Sequence, residues 1–187
     1  MLVSYNKICE YIEQGLILAP MENVNKGDDV NPASIDLRLG NSIRTEKRHE
    51  YPEFIKLYEK ENIKTDEIIL HDNEPYYMEP GEFLLANTAE MFKMCNHLAA
   101  EFKLKSSAAR NALGHLLAGW IDPGFHDATL TLEYVNHSRF NHLGIKPGMK
   151  CGQIVIWETE AVPDDQSYAV KGQYNGQRGA TGSKGIR

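Results

Sequence analysis

Three groups of residues in this sequence carry types and spacings that could do chemistry. Lys105-Ser106-Ser107-Ala108-Ala109-Arg110 sets two cations around two hydroxyls, at the point where a helix could begin. Free main-chain N–H groups at such a start, with serine hydroxyls and flanking cations, form a cradle for phosphate; a serine pair there also serves as a plain helix cap. Ala118-Gly119-Trp120-Ile121-Asp122-Pro123-Gly124-Phe125 places an acid in a Pro-Gly turn. Asp122 can stabilise that turn, or reach a sugar hydroxyl while Gly119 and Trp120 let a flat ring approach the main chain. Glu133 is the third. In Thr129-Leu130-Thr131-Leu132-Glu133-Tyr134-Val135 the apolar residues alternate, so Leu130, Leu132 and Tyr134 share one strand face and Thr131 and Glu133 the other. Taken alone, Glu133 reads as a solvated strand carboxylate.

The elements that would position these groups are mostly short strands. Ile8, Tyr11, Ile12 and Leu16 recur at helical spacing after Ser4, which predicts an amphipathic helix over Ser4–Leu18. Asn31-Pro32-Ala33-Ser34 is a turn signal, and Ile35-Asp36-Leu37-Arg38-Leu39-Gly40 alternates as a strand does. Residues 44–66 are rich in Glu and Lys and read as a surface excursion. Glu79-Pro80-Gly81-Glu82 and Lys146-Pro147-Gly148-Met149 are turns that precede Phe83-Leu84-Leu85 and Ile154-Val155-Ile156-Trp157. One internal helix is predicted over Ser106–Leu117. Many short strands with Pro-Gly turns and two helices predict a mainly β barrel or sandwich with jelly-roll-like connections. Residues 168–187 are Gly-rich, nearly free of aliphatic side chains, and read as a tail that something else must order.

Composition removes several classes. With 187 residues the chain suits a single core. A net charge of −6 argues against broad capture of nucleic acid, which needs a basic face, but leaves room for a small anion held by a few local cations. No apolar run approaches the roughly 20 residues that span a bilayer. The N-terminal residues lack the basic and apolar regions of a secretory signal, so a cytoplasmic location is expected. Cys9, Cys95 and Cys151 form no Cys-x-x-Cys pair, which argues against a disulfide framework and against a cysteine zinc site.

In their joint order the blocks resemble the dCTP deaminases of the trimeric dUTPase-like superfamily. Five blocks fall in the expected sequence: Asn31–Gly40; Glu79–Leu85; Lys105-Ser106-Ser107 with Arg110; Ala118–Phe125 followed by Thr131-Leu132-Glu133; and Pro147–Gln153 with the tail Gln173–Gly179. Residues 51–75 match poorly. The resemblance implies a single dUTPase-like β-domain over residues 1–187, with residues 168–187 a flexible lid. It implies hydrolytic deamination of dCTP to dUTP and ammonia without zinc. In agreement, the His-x-Glu and Pro-Cys-x-x-Cys pattern of zinc deaminases is absent.

By the same resemblance Glu133 is the proton shuttle, and Ser106 and Arg110 hold the water and the developing charge. Lys105, Ser107, Ala108 and Ala109 meet the phosphates, Asp122 the deoxyribose 3′-hydroxyl, and Thr131, Leu132 and Gln153 the nucleotide. Tyr168, Gln173 and Gln177 belong to the closing tail, and His115 to the wall of the site. No protein-bound metal is expected; Mg²⁺ enters as counter-ion of the triphosphate. A homotrimer with shared sites and feedback inhibition by dTTP are further expectations, with no nucleic acid or membrane partner.

There are departures. Asn111-Ala112-Leu113 follows Arg110 where the family usually has Leu-Gly-Leu. The stretch from Arg110 to Asp122 is one residue short, and that from Asp122 to Glu133 one long. Gln173 stands where a lysine is common. Two alternatives stay open: a bifunctional enzyme that also releases dUMP and pyrophosphate, and a non-catalytic nucleotide-sensing trimer of the same fold. A pure dUTPase is disfavoured, having no use for a Glu133-type acid beside the base.

Overall fold

The computed structural model describes residues 1–19 and 24–186; Arg187, the end of the expected lid, lies outside them. Helix α1 (Tyr5–Glu13) buries Ile8, Tyr11 and Ile12. It stops short of Leu18 because Gly15 turns left-handed (φ 68°) and the N–H groups of Gly15 and Leu16 return to the carbonyls of Ile12 and Tyr11. Such a C-terminal turn satisfies carbonyls that the helix leaves open. Strand β1 (Leu18–Ala19), helix α2 (Lys26–Asp29) and strand β2 (Val30–Asn31) lead into β3 (Ser34–Glu46).

Strand β3 organises the molecule, and the next strands in chain order are β4 (Thr65–Ile69), β5 (Tyr76–Met78), β6 (Phe83–Lys93) and β7 (Leu98–Leu104). After helix α3 (Ser106–Ala109) come β8 (Leu113–His115), β9 (Trp120–Ile121), β10 (His126–Asn136), β11 (Leu143–Ile145) and β12 (Lys150–Glu158). The main sheet runs β8-β10-β6-β3-β12-β7-β9, with β1 on β6 and β2 and β4 on β3. Its pairings are antiparallel, and along this order each joins strands that are not consecutive in the chain. The first half of β3 pairs with β12 and the second half with β6, and the register shifts between Leu39 and Ile43. At that bend the buried Asn87 side chain packs against Gly40, where a Cβ would lie 2.3 Å from its amide nitrogen. The Asn87 amide also accepts from Ser42 N–H (3.0 Å) and donates to the Thr88 carbonyl (2.8 Å). A bulge of this kind re-aims a strand, and the sheet curls around one core of Ile35, Leu37, Ile43, Leu84, Phe92, Leu132, Tyr134 and Ile154. The mainly β, curled architecture is the expected fold class.

The internal helix is shorter than its sequence predicted. Alanine-rich propensity carries it only to Ala109. Arg110 still has helical geometry, but Ala112 is left-handed (φ 65°), and the chain leaves as strand β8, paired with β10 through Tyr134 opposite His115. Tertiary pairing has overridden local propensity here. Of the excursion predicted over 44–66, residues 47–64 lie outside the sheet, with one 3-10 turn at Leu57–Glu59 and the exposed side chains Tyr51, Phe54 and Tyr58. Residues 44–46 and 65–66 instead belong to β3 and β4, because those strands pair with each other there.

Where β3 meets β12, charge is buried in quantity. Asp29, Asp36 and Glu90 are 2, 6 and 3% exposed. The Arg38 guanidinium donates to Glu90 (3.0 Å) and Asp29 (3.2 Å), and the Arg38 main-chain N–H also reaches Glu90 (3.0 Å). Lys150 lies 3.0 Å from Asp29 and 3.5 Å from Asp36, which also accepts from Asn31 and Lys105 (2.7 Å each). Burial pushes the Asp29 carboxyl up, but the N–H of Asn25, Lys150 and Arg38 outweigh it and leave the group below its usual range. For Glu90 burial wins over Arg38, and the carboxyl lies above its usual range.

Candidate active site

The outer face of β10 and β6 forms the floor of a cleft of about 490 Å³. The alternation of β10 sends Leu132 and Tyr134 into the core at full burial and turns Thr131 and Glu133 outward. Glu133 pairs with Leu85 of β6 and Val135 with Phe83, so Phe83 and Leu85 flank the carboxylate, and Ile63 of the excursion joins them. Across the cleft stand Ala118, Trp120, Ile121 and Asp122.

Strand β9 reaches its place because Gly119 lets two main chains meet. Its carbonyl accepts from Phe102 N–H (2.8 Å), and a Cβ on Gly119 would lie 2.8 Å from the Phe102 Cβ. The Trp120 indole N–H donates to Asp122 Oδ1 (2.9 Å), which fixes the carboxylate at the cleft rim. Gly124 is left-handed (φ 89°) and leaves no room for a Cβ, which would meet Ser167 Oγ at 2.0 Å. The Asp122 turn is thus closed by its glycine, and the Asp122 side chain bonds to the indole.

Glu133 is about a quarter exposed, and its Oε2 lies 3.3 Å from Nε2 of His115, whose side chain is 3% exposed. Neither atom has an aligned hydrogen-bond partner among the described residues. The His115 ring packs against Phe102 (centroids 4.7 Å apart) and edge-on to Tyr134 (6.0 Å). The Glu133 carbonyl accepts from Leu116 N–H (3.1 Å), which ties β8 to the carboxylate-bearing strand.

The tail is seated on the same strand. Helix α4 (Tyr168–Lys171) begins at Ser167, whose hydroxyl accepts from Ala169 N–H (3.3 Å) and donates to Asn96 (2.7 Å). The Tyr168 ring stands edge-on to Phe125 (5.6 Å), and burial raises its hydroxyl above the usual range. Gln177 exchanges bonds with Thr129: its carbonyl accepts the Thr129 N–H (3.2 Å) and its amide donates to the Thr129 carbonyl (2.7 Å). Ala180 N–H donates to Ser42 Oγ (3.0 Å) and Thr181 N–H to Thr131 Oγ1 (3.2 Å). The tail supplies Tyr168, Tyr174, Gln177 and residues 181–183 to the cleft wall, and Ala180, 3% exposed, packs inward although the segment reads as coreless.

Among the expected site residues, Asp122, Thr131, Glu133, Tyr168 and Gln177 therefore come together. The others stand elsewhere within the chain. The Leu132 side chain is in the core and leaves only its main chain for a ligand. Gln153, on β12, accepts from Ser34 (3.0 Å). Lys105 is engaged with Asp36, and Gln173 lies off the cleft wall. Ser106, Ser107, Ala109 and Arg110 are exposed on and just after α3, with Ala108 partly buried. The sequence did not single out Phe83, Leu85, Ile63 or Tyr174 for the site. Only the strand reading of Phe83-Leu84-Leu85 carried a signal, since a period of two gives Phe83 and Leu85 one face. Among the described residues no group of three or more His, Cys, Asp or Glu side chains is placed to hold a metal ion, and no helix is long and apolar enough to cross a membrane.

Residues 2–159 match the dCTP deaminase-like family. A dCTP deaminase, dUMP-forming, of Persephonella marina is 35% identical over 98% of this chain and 97% of its own length. A protein of the same name from Acidothermus cellulolyticus is 38% identical over 83% of this chain and 81% of its own. The crystal structure of 2′-deoxycytidine 5′-triphosphate deaminase from Agrobacterium tumefaciens shares the fold, with a TM-score of 0.65 at 19% identity. That match covers 89% of this chain but spans only about half, 51%, of the solved chain.

Proposed function

Since the chain belongs to the dCTP deaminase-like family, we propose that it hydrolyses dCTP to dUMP, pyrophosphate and ammonia, with Glu133 as the acid–base residue. The observation that carries this reading is the Glu133 carboxylate. It is partly buried, faces a nucleotide-sized cleft, and stands across from the rim acid Asp122. The name borne by both relatives favours dUMP over dUTP as the final nucleotide.

In the first step one water adds to C4 of cytosine as Glu133 takes its proton. The carboxyl returns that proton to ring N3, and a second proton moves from the added hydroxyl through Glu133 to the departing amine. The C4–N bond breaks, ammonia leaves, and the uracil carbonyl forms. A second water then attacks the α-phosphorus and pyrophosphate departs. Asp122 orients the sugar through its 3′-hydroxyl, while Gln177 and Tyr168 hold the tail over the site and keep out competing water. Mg²⁺ arrives with the substrate as counter-ion of its triphosphate.

Ser106 and Arg110 lie outside the cleft of their own chain, and a homotrimer in which another copy brings α3 to each cleft gives them their expected work. The exposed Leu116, Leu117 and Trp120 beside the cleft support such an association. Sedimentation with and without dCTP tests it; a monomer that turns over at full rate rules it out.

The test of the reaction is incubation with dCTP and Mg²⁺, followed by separation of nucleotides and measurement of ammonia. We expect dUMP and pyrophosphate, and a kcat about 10²–10⁴-fold lower for Glu133→Gln, as for loss of a general acid–base. Accumulating dUTP assigns deamination alone. A folded protein that binds dCTP and releases no ammonia leaves the nucleotide-sensing reading.

A further inference from the structure

The contact between His115 and Glu133 joins two polar atoms that are buried and lack aligned partners among the described residues. Such atoms are costly to leave unmade, and they concentrate where a site is waiting to be completed. The hydrogen-bond network also assigns the tautomer of the ring. Leu117 N–H donates to His115 Nδ1 (3.2 Å), so Nδ1 is an acceptor and the ring proton sits on Nε2, the atom facing Glu133 Oε2 at 3.3 Å.

The backbone holds this ring with unusual firmness. Ala112 and Leu117, on either side of β8, are both left-handed without being glycine (φ 65° and 64°). Such strain persists where the surroundings impose it, and it clusters at functional sites. Tyr134 pairs with His115, Leu116 N–H binds the Glu133 carbonyl, and the Ala112 carbonyl accepts from His137 N–H (2.9 Å). Phe102 and Tyr134 close the two sides of the ring. The imidazole has one polar edge on the Leu117 main chain and the other on the carboxylate.

We infer that His115 is a positioning residue for Glu133: its Nε2–H holds Oε2 and leaves the other carboxylate oxygen for the reacting water. This rests on the reading of Glu133 as the acid–base group. The contact is out of line in the free chain and straightens when substrate closes the cleft, a common behaviour of catalytic hydrogen bonds.

Three substitutions separate this role from packing. His115→Phe keeps a ring and removes the donor. His115→Gln places an amide N–H near the position of Nε2, and His115→Asn places one near Nδ1 instead. We expect His115→Phe to lower kcat about 10–100-fold, the range for loss of an outer-shell partner, while KM for dCTP stays within about twofold. His115→Gln recovers most of the loss and His115→Asn does not. Equal kcat for His115→Phe and wild type, a loss confined to KM, or rescue by Asn as full as by Gln overturns the inference.

A spectroscopic arm stands apart from turnover and from the folding of the variants. Nitrogen-15 spectra of the labelled wild-type ring should show Nδ1 unprotonated, with an Nε2 resonance that moves in Glu133→Gln. A proton on Nδ1, or an Nε2 resonance indifferent to Glu133, overturns the pair even in a protein that releases no ammonia. Conversely, a wild type without turnover whose ring shows the expected coupling places the failure in the proposed reaction and leaves the pair intact.

Discussion

Charge is buried in two regions of this molecule, and the two are finished differently. Between β3 and β12, Asp29, Asp36 and Glu90 meet Arg38, Lys105 and Lys150, and each carboxylate has a cation within 3.5 Å. On the outer face of β10, Glu133 has one buried oxygen without an aligned partner among the described residues, beside the His115 Nε2 in the same condition. Breaking a buried pair costs stability, whereas a polar group left open near a cleft is available to a ligand. Completeness of pairing thus separates charge that holds the fold from the charge we propose for chemistry.

The comparison is best broken at Arg38. Arg38→Met takes the guanidinium from the buried Glu90 and leaves Asp29 to Lys150, and the loss of one partner from a buried pair costs about 3–5 kcal/mol. Chemical denaturation should register that cost, while kcat at a temperature where the variant stays folded should hold near wild type. A variant that lost turnover without losing stability would place this ionic cluster in the chemistry.

Gly119→Ala sharpens the contrast from the other side. Its Cβ meets Phe102 at 2.8 Å, and overpacking of this kind costs about 1–3 kcal/mol. Because the displaced segment carries Trp120 and Asp122, we expect a larger loss in kcat/KM than the shift in denaturation midpoint alone would suggest. The smallest effect concerns Cys151, which is 1% exposed beside Lys150 and whose thiol burial pushes up to about 12. At pH 8 a thiol reagent should modify the half-exposed Cys9 and Cys95 in the folded protein and reach Cys151 only in denaturant. Rapid labelling of all three would show the ionic cluster to be open to water.

Much of this was legible in the sequence, for reasons that can be located. The faces of β10 follow from alternation alone, so the outward position of Glu133 is written in residues 129–135 themselves. The Pro-Gly turns marked strand ends, and Ile8, Tyr11 and Ile12 marked the buried face of α1. What could not be read depends on pairing across long separations. Lys105 and Asp36 are 69 residues apart, and nothing local says that the lysine is held in a cluster. Strand β8 is three residues long, too short for any period, and the helical propensity of Ala108 and Ala109 masks the left-handed turn at Ala112. The resemblance puts His115 in the wall of the site, whereas its ring is buried beside Glu133, in a register against Tyr134 that the sheet decides.

The seating of the tail has a consequence for how its sequence can drift. Its anchoring bonds are made largely by main-chain groups of Gln177, Gly179, Ala180 and Thr181, to Thr129, Ser42 and Thr131. The side chains of Asn175, Gln177 and Arg178 add bonds to His126, Thr129 and Asp127, and the remaining side chains have more room to vary. Selection should fall on shape at two adjacent letters: Gly179, left-handed (φ 65°) with Ser42 within 3 Å of where a Cβ would stand, and Ala180, fully enclosed. Across diverged relatives such a tail would keep this small-residue pair together with the bonding letters Asn175, Gln177 and Arg178, while the positions between them drift.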